Sequence, residues 1–548
     1  MTRRVPVATI LFAALTLAGA APAAAQGAPG MRPEDLRADL FAIAHDSMGG
    51  RDTGAPGNFK ATEWVAASFR RSGLQPAGEN GTFFQTLPFV RIAPDTTSRI
   101  VAGDATLALG RDFVPVGAPV PVSLDGIIVV YGGAANDPST WPTAAQTAGR
   151  FVVLTVGGSN RTFLRGLWRL MVEPSLRGAA GIAVAQLDLL SPGAIAQAMG
   201  GSVTTDTTAR EGKPLLLVTP SAAAALLGAD PGTVSAGAAG RTLQGRLVYA
   251  RGPLRYPARN VVAILAGRDP ALRSTYVSLT AHNDHVGTGA TSVDHDSTRA
   301  YNRVVRPSGA DSPNRPATTE ERARIQELRD SLRADHPPRR DSIFNGADDD
   351  GSGTVTLVGL ARALAAGPRP RRSVLFVSHA AEERGLLGSE WYTDHPTVPR
   401  DSIVGEIDMD MVGRGGATDL AGGGPEYLEV VGSKRLSTEF GTLLEAANGR
   451  LARPFRFNYE YDAPGHPLQY YCRADHYSYA RYGIPSVSLS RGEHLDYHQV
   501  TDESEYVDYQ DMARVGQLVL EATRAVADLD HRPAVDKPRG DPTAPCRQ

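Results

Sequence analysis

The sequence predicts an α/β fold with a mostly parallel central sheet flanked by helices, interrupted by an inserted strand-rich module. Three observations carry that expectation. After residue 259, apolar runs of strand length alternate with longer helical periodicities, as in sheets covered on both faces. Between 107 and 250 the helical patterns give way to short apolar runs separated by Gly, Pro and Ser. The chain has 548 residues, more than one hydrophobic core usually organises.

Read in order, residues 1–25 form a leader for export: Arg3 and Arg4 precede an apolar run over 5–20, and Ala23, Ala24 and Ala25 offer a small-residue cleavage site. Two amphipathic helices follow within 32–69, around a glycine-rich turn at 48–54, and Gly73 stops the second. The main α/β domain is expected over 26–106 and 251–531, and the strand-rich module over 107–250 with strands at 126–131, 151–156, 181–186 and 215–218. Main-domain strands are expected at 260–265, 276–281, 373–378, 403–410 and 485–489, and helices at 353–366, 436–448 and 508–527. Residues 290–342 break the alternation with a polar, Pro-containing stretch centred on an exposed helix at 318–333. We read it as a solvated surface insertion in preference to a substrate-gating lid. An irregular, Pro-rich tail covers 532–548.

With 42% hydrophobic residues, 21% charged residues and a net charge of −3, the chain is a folded protein without the basic stripe that nucleic acid requires. After the leader no apolar run is long enough for stable membrane insertion. The two cysteines, Cys472 and Cys546, could pair, but they are too few to ligate a metal, which leaves histidine and carboxylates for that task.

Five segments place such residues where an apolar strand ends, the edge at which open α/β sheets bind ligands. His282 and Asp284 follow the strand at 276–281, and period-two geometry puts them on one side, so that the carboxylate can orient a metal-bound imidazole. Asp348, Asp349 and Asp350 lie between glycines ahead of a helix; alone, the run fits an N-cap better than a bridge between cations. Glu382 and Glu383 follow the strand at 373–378, and adjacent side chains point apart, so one can bind metal while the other reaches water. Asp408 and Asp410 alternate along a strand, where acids need partners. The fifth segment runs from Asp475 and His476 to Asp496, Tyr497 and His498.

In this order the five segments resemble the co-catalytic zinc exopeptidases, the family of bacterial leucyl aminopeptidase, aminopeptidase Y and glutamate carboxypeptidase. The resemblance implies a phosphorylase/hydrolase-like fold and two zinc ions, with manganese or cobalt as substitutes. His282 and Asp410 would complete one site and Glu383 and His498 the other, with Asp348 bridging them. Glu382 would be the general base, Asp284 would orient His282, and Tyr497 and Asp475 would line the pocket. Residues 107–250 similarly resemble a protease-associated domain. In this chain Asp408 stands where many relatives carry Asn, and His285 follows the His-x-Asp motif as in a subset of them. The implied activity is removal of amino-terminal residues from peptides with a free N-terminus, outside the cytoplasm. A carboxypeptidase, a one-zinc glutaminyl cyclase and a non-catalytic binding ectodomain are the alternatives on the same scaffold.

Overall fold

The computed structural model describes residues 31–548 apart from 117–120, 157–166, 191, 206–212, 314 and 335; the expected leader lies outside the described residues. The main-domain runs form a nine-stranded sheet whose principal strands are β1 (Arg259–Leu265), β2 (Tyr276–His282), β3 (Ser373–His379), β4 (Ile403–Met409), β5 (Tyr427–Val431) and β6 (Ser486–Ser490). Across the sheet their order is β1-β3-β2-β4-β6-β5. The central strands β3, β2, β4 and β6 are parallel, whereas β1 runs antiparallel to β3 and β5 antiparallel to β6. A continuous apolar run records burial on both faces but not strand direction, so the antiparallel flanking strands left no trace in the sequence.

Alternate side chains feed two separate cores. On β3, Val374 and Phe376 join the larger cluster with the helices Pro33–Ile43, Pro56–Arg71, Gly353–Ala366 and Tyr509–Ala527. Leu375 and Val377 face the other way, onto Tyr392 and Tyr479. With both faces covered, ligands can reach the sheet only at its strand ends.

Residues 99–247 build a second nine-stranded sheet with two hydrophobic clusters of its own. It begins earlier than the composition suggested, because Arg99–Ala102 and Ala105–Ala108 lie at its edge and Arg99–Ala102 pairs with Ala239–Leu247. Helices such as Pro220–Leu227 also pack against it, so it is less purely strand-built than expected.

The polar stretch is a two-stranded hairpin, Gly287–Asp294 with Arg340–Phe344, carrying two helices. Thr319–Leu332 is the exposed helix expected there, started by a capping box of Thr318 and Glu321. The other helix, His295–Val305, is no solvated decoration. It buries His295, Asp296, Arg299 and Asn302, and its Arg299 pairs with Asp496 while Asn302 donates to the Leu495 carbonyl at 3.0 Å.

The tail is likewise fixed. Cys472 and Cys546 form a disulfide across 74 positions, and the Tyr471 N–H donates to Gln548 Oε1 at 3.2 Å. Closing a loop of that length removes about 4 kcal/mol of unfolded-chain entropy. Cys546→Ser is expected to lower the thermal unfolding midpoint, and reductant should lower the wild type to the variant's value while leaving the variant unchanged.

Candidate metal centre

Chain reversals at the carboxyl ends of β2, β3, β4 and β6 bring the five segments together. His282 ends β2, with 2% of its surface exposed; its Nε2 lies 3.2 Å from Asp349 Oδ1 and 3.6 Å from Asp410 Oδ1. His498 Nε2 lies 3.0 Å from Asp349 Oδ2 and 3.0 Å from Glu383 Oε2. The two oxygens of Asp349 therefore face two groups of potential ligands: His282 and Asp410 on one side, and His285, Glu383 and His498 on the other.

This geometry corrects the bridging assignment, because Asp348 points away from both groups. Its Oδ1 accepts from the Gly413 N–H at 2.6 Å and its Oδ2 lies 3.1 Å from His494 Nε2, so it braces the turn after Asp410. Asp350 takes the capping role: it accepts from the Gly353 N–H at 2.9 Å and from the His282 N–H at 3.0 Å. Gly346, at φ +55°, turns the chain so that three neighbouring carboxylates diverge; a Cβ there would sit 2.2 Å from the Asp349 carbonyl oxygen.

His285 is the residue missed as a direct neighbour of the site. Three positions past His282 and 1% exposed, it sets Nδ1 2.7 Å from Glu383 Oε1 and 3.6 Å from Asp349 Oδ2. Its signal was the second histidine of the His282 to His285 segment. Asp475 differs in the opposite sense. It is buried behind Ala474, which lines the cavity together with Tyr497, and does not line it itself.

Asp284 sits where an orienting residue should. Its Oδ1 is 3.7 Å from His282 Nδ1 and accepts from the Glu382 N–H at 3.1 Å, while Oδ2 accepts from the Thr53 hydroxyl at 2.9 Å. Asp408 is not among the cluster: the Thr280 and Ser488 hydroxyls lie 2.9 Å and 3.1 Å from its oxygens.

Several backbones at the site adopt left-handed conformations without being glycine: Ala381 at φ 60°, Met411 at φ 59° and His498 at φ 52°. Such conformations cost about 1 kcal/mol or more each and persist where the surroundings enforce them. Arg51, fully buried, supplies part of that enforcement by donating to the carbonyls of Asn283, Gly346 and Asp349, which ties the first two ligand segments together.

The donor set fits divalent metal. Buried His282 Nε2, His285 Nδ1, Asp349 Oδ2, Glu383 Oε1 and Asp410 Oδ1 have no hydrogen-bond partner, although some lie within 4 Å of one another, which is how atoms gathered around an ion stand. Burial opposes a charge on His282, yet Asp284, Asp349 and Asp410 outweigh it and raise its pKa well above the ordinary value. Burial and the Asp349 charge push Glu383 upward, but His498 and His285 hold it down at about 2. Glu382 stays high because burial disfavours its charge and Glu383, Asp410 and Asp475 reinforce the effect against His282. A carboxyl of that kind, at the mouth of a ligand cluster, is suited to taking a proton.

A family model described as peptidase family M28 matches residues 260–523, a span that contains every one of these groups. Residues 260–523 are a peptidase family M28 domain. Leucine aminopeptidase 1 of Paracoccidioides brasiliensis (strain Pb18) is 33% identical to the chain over 187 residues, 32% of this chain and 45% of that protein. Aminopeptidase NAALADL1 of Mus musculus is 38% identical over 98 residues, 17% of this chain and 13% of that protein. The chain thus spans less than half the length of these relatives. Among solved structures, BSAP, a zinc aminopeptidase from Bacillus subtilis, aligns with 90% of this chain and 94% of its own at 16% identity and a TM-score of 0.49.

The orientation of the two aspartates in the M28 domain yields a direct contrast. Asp349→Asn is expected to abolish stoichiometric metal binding in both groups, measured by elemental analysis after dialysis. Asp348→Asn should keep the metal and lose about 1–3 kcal/mol of stability, because it disturbs a buried acceptor.

Proposed function

We propose that this chain is an exported dizinc aminopeptidase that removes N-terminal residues from peptides. The observation that carries the reading is the placement of Asp349, whose oxygens face two groups of metal-binding side chains in one cavity with Glu382. The similar proteins, leucine aminopeptidase 1 and aminopeptidase NAALADL1, agree with it. Export rests on the leader-like composition of residues 1–25.

Zinc held by His282, Asp349, Asp410, Glu383 and His498 would supply Lewis acidity, polarising a carbonyl oxygen and making water a nucleophile near neutral pH. Glu382, 13% exposed and on the cavity wall, takes the proton from the attacking water and returns it to the departing amine. Asp284 fixes Glu382 through the backbone N–H and holds His282 in place, so the base and the first ligand share one anchor. Asp410 remains 21% exposed at its side chain, which leaves a carboxylate oxygen facing the cavity to receive a substrate ammonium. No helix among the described residues is long and apolar enough to cross a membrane.

Glu382→Gln is expected to retain bound zinc and lower kcat by about 10²–10⁴. Release of free amino acids from an unblocked peptide and from its acetylated twin distinguishes the modes of cleavage: an aminopeptidase cuts only the first, and cleavage of both from the carboxyl end would make the protein a carboxypeptidase.

A further inference from the structure

The cavity beside the ligands holds about 310 Å³, room for one residue and not for an extended segment. Its ligand side is formed by Asp349, Glu382, Glu383, Asp410 and His498, and its far wall by Glu429, Tyr470, Arg473 and Glu493. Met411 and Val431 contribute apolar surface between them.

Glu429 has no role in metal binding or proton transfer as described above. It projects from β5, is only 2% exposed, and lies outside both ligand groups. One oxygen is committed: Oε1 accepts from the Tyr427 hydroxyl at 2.6 Å, and the Asn458 amide donates to that hydroxyl at 3.0 Å. This relay locks the carboxyl in one orientation. The other oxygen, Oε2, is buried with no hydrogen-bond partner, and no ion pair to Glu429 occurs among the described residues. Burial without a cation, despite the Tyr427 bond, lifts this acid to about 7. A buried carboxyl with a free oxygen is costly unless something positive meets it.

The neighbouring acid does not supply relief. Glu493 lies 3.1 Å from Arg473, but that guanidinium is shared with Asp311, 3.0 Å away on the polar insertion. Two carboxyls around one arginine leave this corner without net positive charge, so it offers Glu429 no cation.

We propose that this wall selects a cationic side chain, that of an N-terminal arginine or lysine, with Glu429 as the residue that determines the preference. The proposal rests on the aminopeptidase reading for the identity of the occupant. An arginine presents planar paired donors that suit a carboxylate locked in place, and its methylenes would lie along Met411 and Val431. A neutral side chain of the same shape would leave Oε2 unpartnered, so discrimination comes from what the wrong substrate fails to satisfy.

The test compares arginine amide with citrulline amide, which is nearly the same shape but uncharged, on the zinc-loaded protein. Calorimetric binding of free L-arginine and L-citrulline serves as a measure that does not depend on turnover. The wild type should favour arginine by about tenfold or more in kcat/KM and in affinity. Glu429→Gln should reduce that ratio to below about threefold, and Tyr427→Phe, which frees the carboxyl from its clamp, should reduce it in part. If Glu429→Gln does not fold, Tyr427→Phe decides. Equal treatment of arginine and citrulline by the wild type, or an unchanged ratio in the variants, overturns the proposal. If leucine amide and every other unblocked substrate resist hydrolysis while L-arginine still binds selectively, the aminopeptidase reading falls and the acidic wall stands.

Discussion

The arrangement of this molecule turns on how many carboxyl groups can be crowded onto one edge of a parallel sheet. Asp284, Asp348, Asp349, Asp350, Glu383 and Asp410 all converge there, most of them fully buried. Isolated ionised carboxylates would be expelled from such a place or forced to take up protons. The chain resolves part of the conflict by giving most of these acids local partners. Asp348 and Asp350 receive backbone N–H groups, Asp284 a hydroxyl and an N–H, and Asp349 and Glu383 receive histidines. Among the described residues Asp410 Oδ1 and Asp349 Oδ2 have no hydrogen-bond partner, and that residual demand is what a divalent cation would meet.

Buried arginines hold the surrounding loops against this charge. Arg51 binds carbonyls from two ligand segments, and Arg299 and Arg414 both reach Asp496, two residues before His498. These cations lie outside the ligand set, so they offset the negative field without occupying metal positions. Asp502 adds another acid to this edge, yet it braces the loop by accepting from the N–H groups of Asp348 and Asp349. Rigid loops of this kind can hold His498 in its left-handed conformation, which a freely moving segment would abandon.

Much of this was legible in the sequence because strands and ligands are coupled: a buried strand that ends in His or a pair of acids is rare, and here several occur in succession. Residue-level errors arose where the chain turns sharply. Asp348, Asp349 and Asp350 are equivalent as letters, and the backbone turn that begins at Gly346, with the N–H groups that hold Asp348 and Asp350, decides which one faces the cavity. The role of His285 was hidden for a similar reason. It follows the end of β2, where period-two alternation no longer applies, and it enters the site through a loop. The helix at His295–Val305 escaped notice because the residues it buries are polar, and composition registers them as solvated. Direction of the antiparallel strands β1 and β5 was invisible because both faces are apolar whichever way the strand runs.

The same accounting explains why segments far apart in the chain meet at one cavity. Cys472 lines it and is tied to Cys546 near the tail; Asp311 reaches Arg473 from the polar insertion; Glu429 is set by Tyr427 and Asn458 from the edge of the sheet. None of these residues belongs to either ligand group. The ligand edge is determined by the parallel strands and would serve any substrate whose carbonyl reaches the metal. The far wall is built from the strand next to the sheet's edge and from loops, and it is braced by an insertion and a tethered tail, elements that can change without disturbing the central sheet. On the proposed reading, reactivity and selectivity would therefore be carried by different layers of the fold. Among the described residues the acids of this corner meet one counter-ion, the shared Arg473, and on the aminopeptidase reading it is the wall, more than the metal ligands, that would distinguish one amino-terminal residue from another.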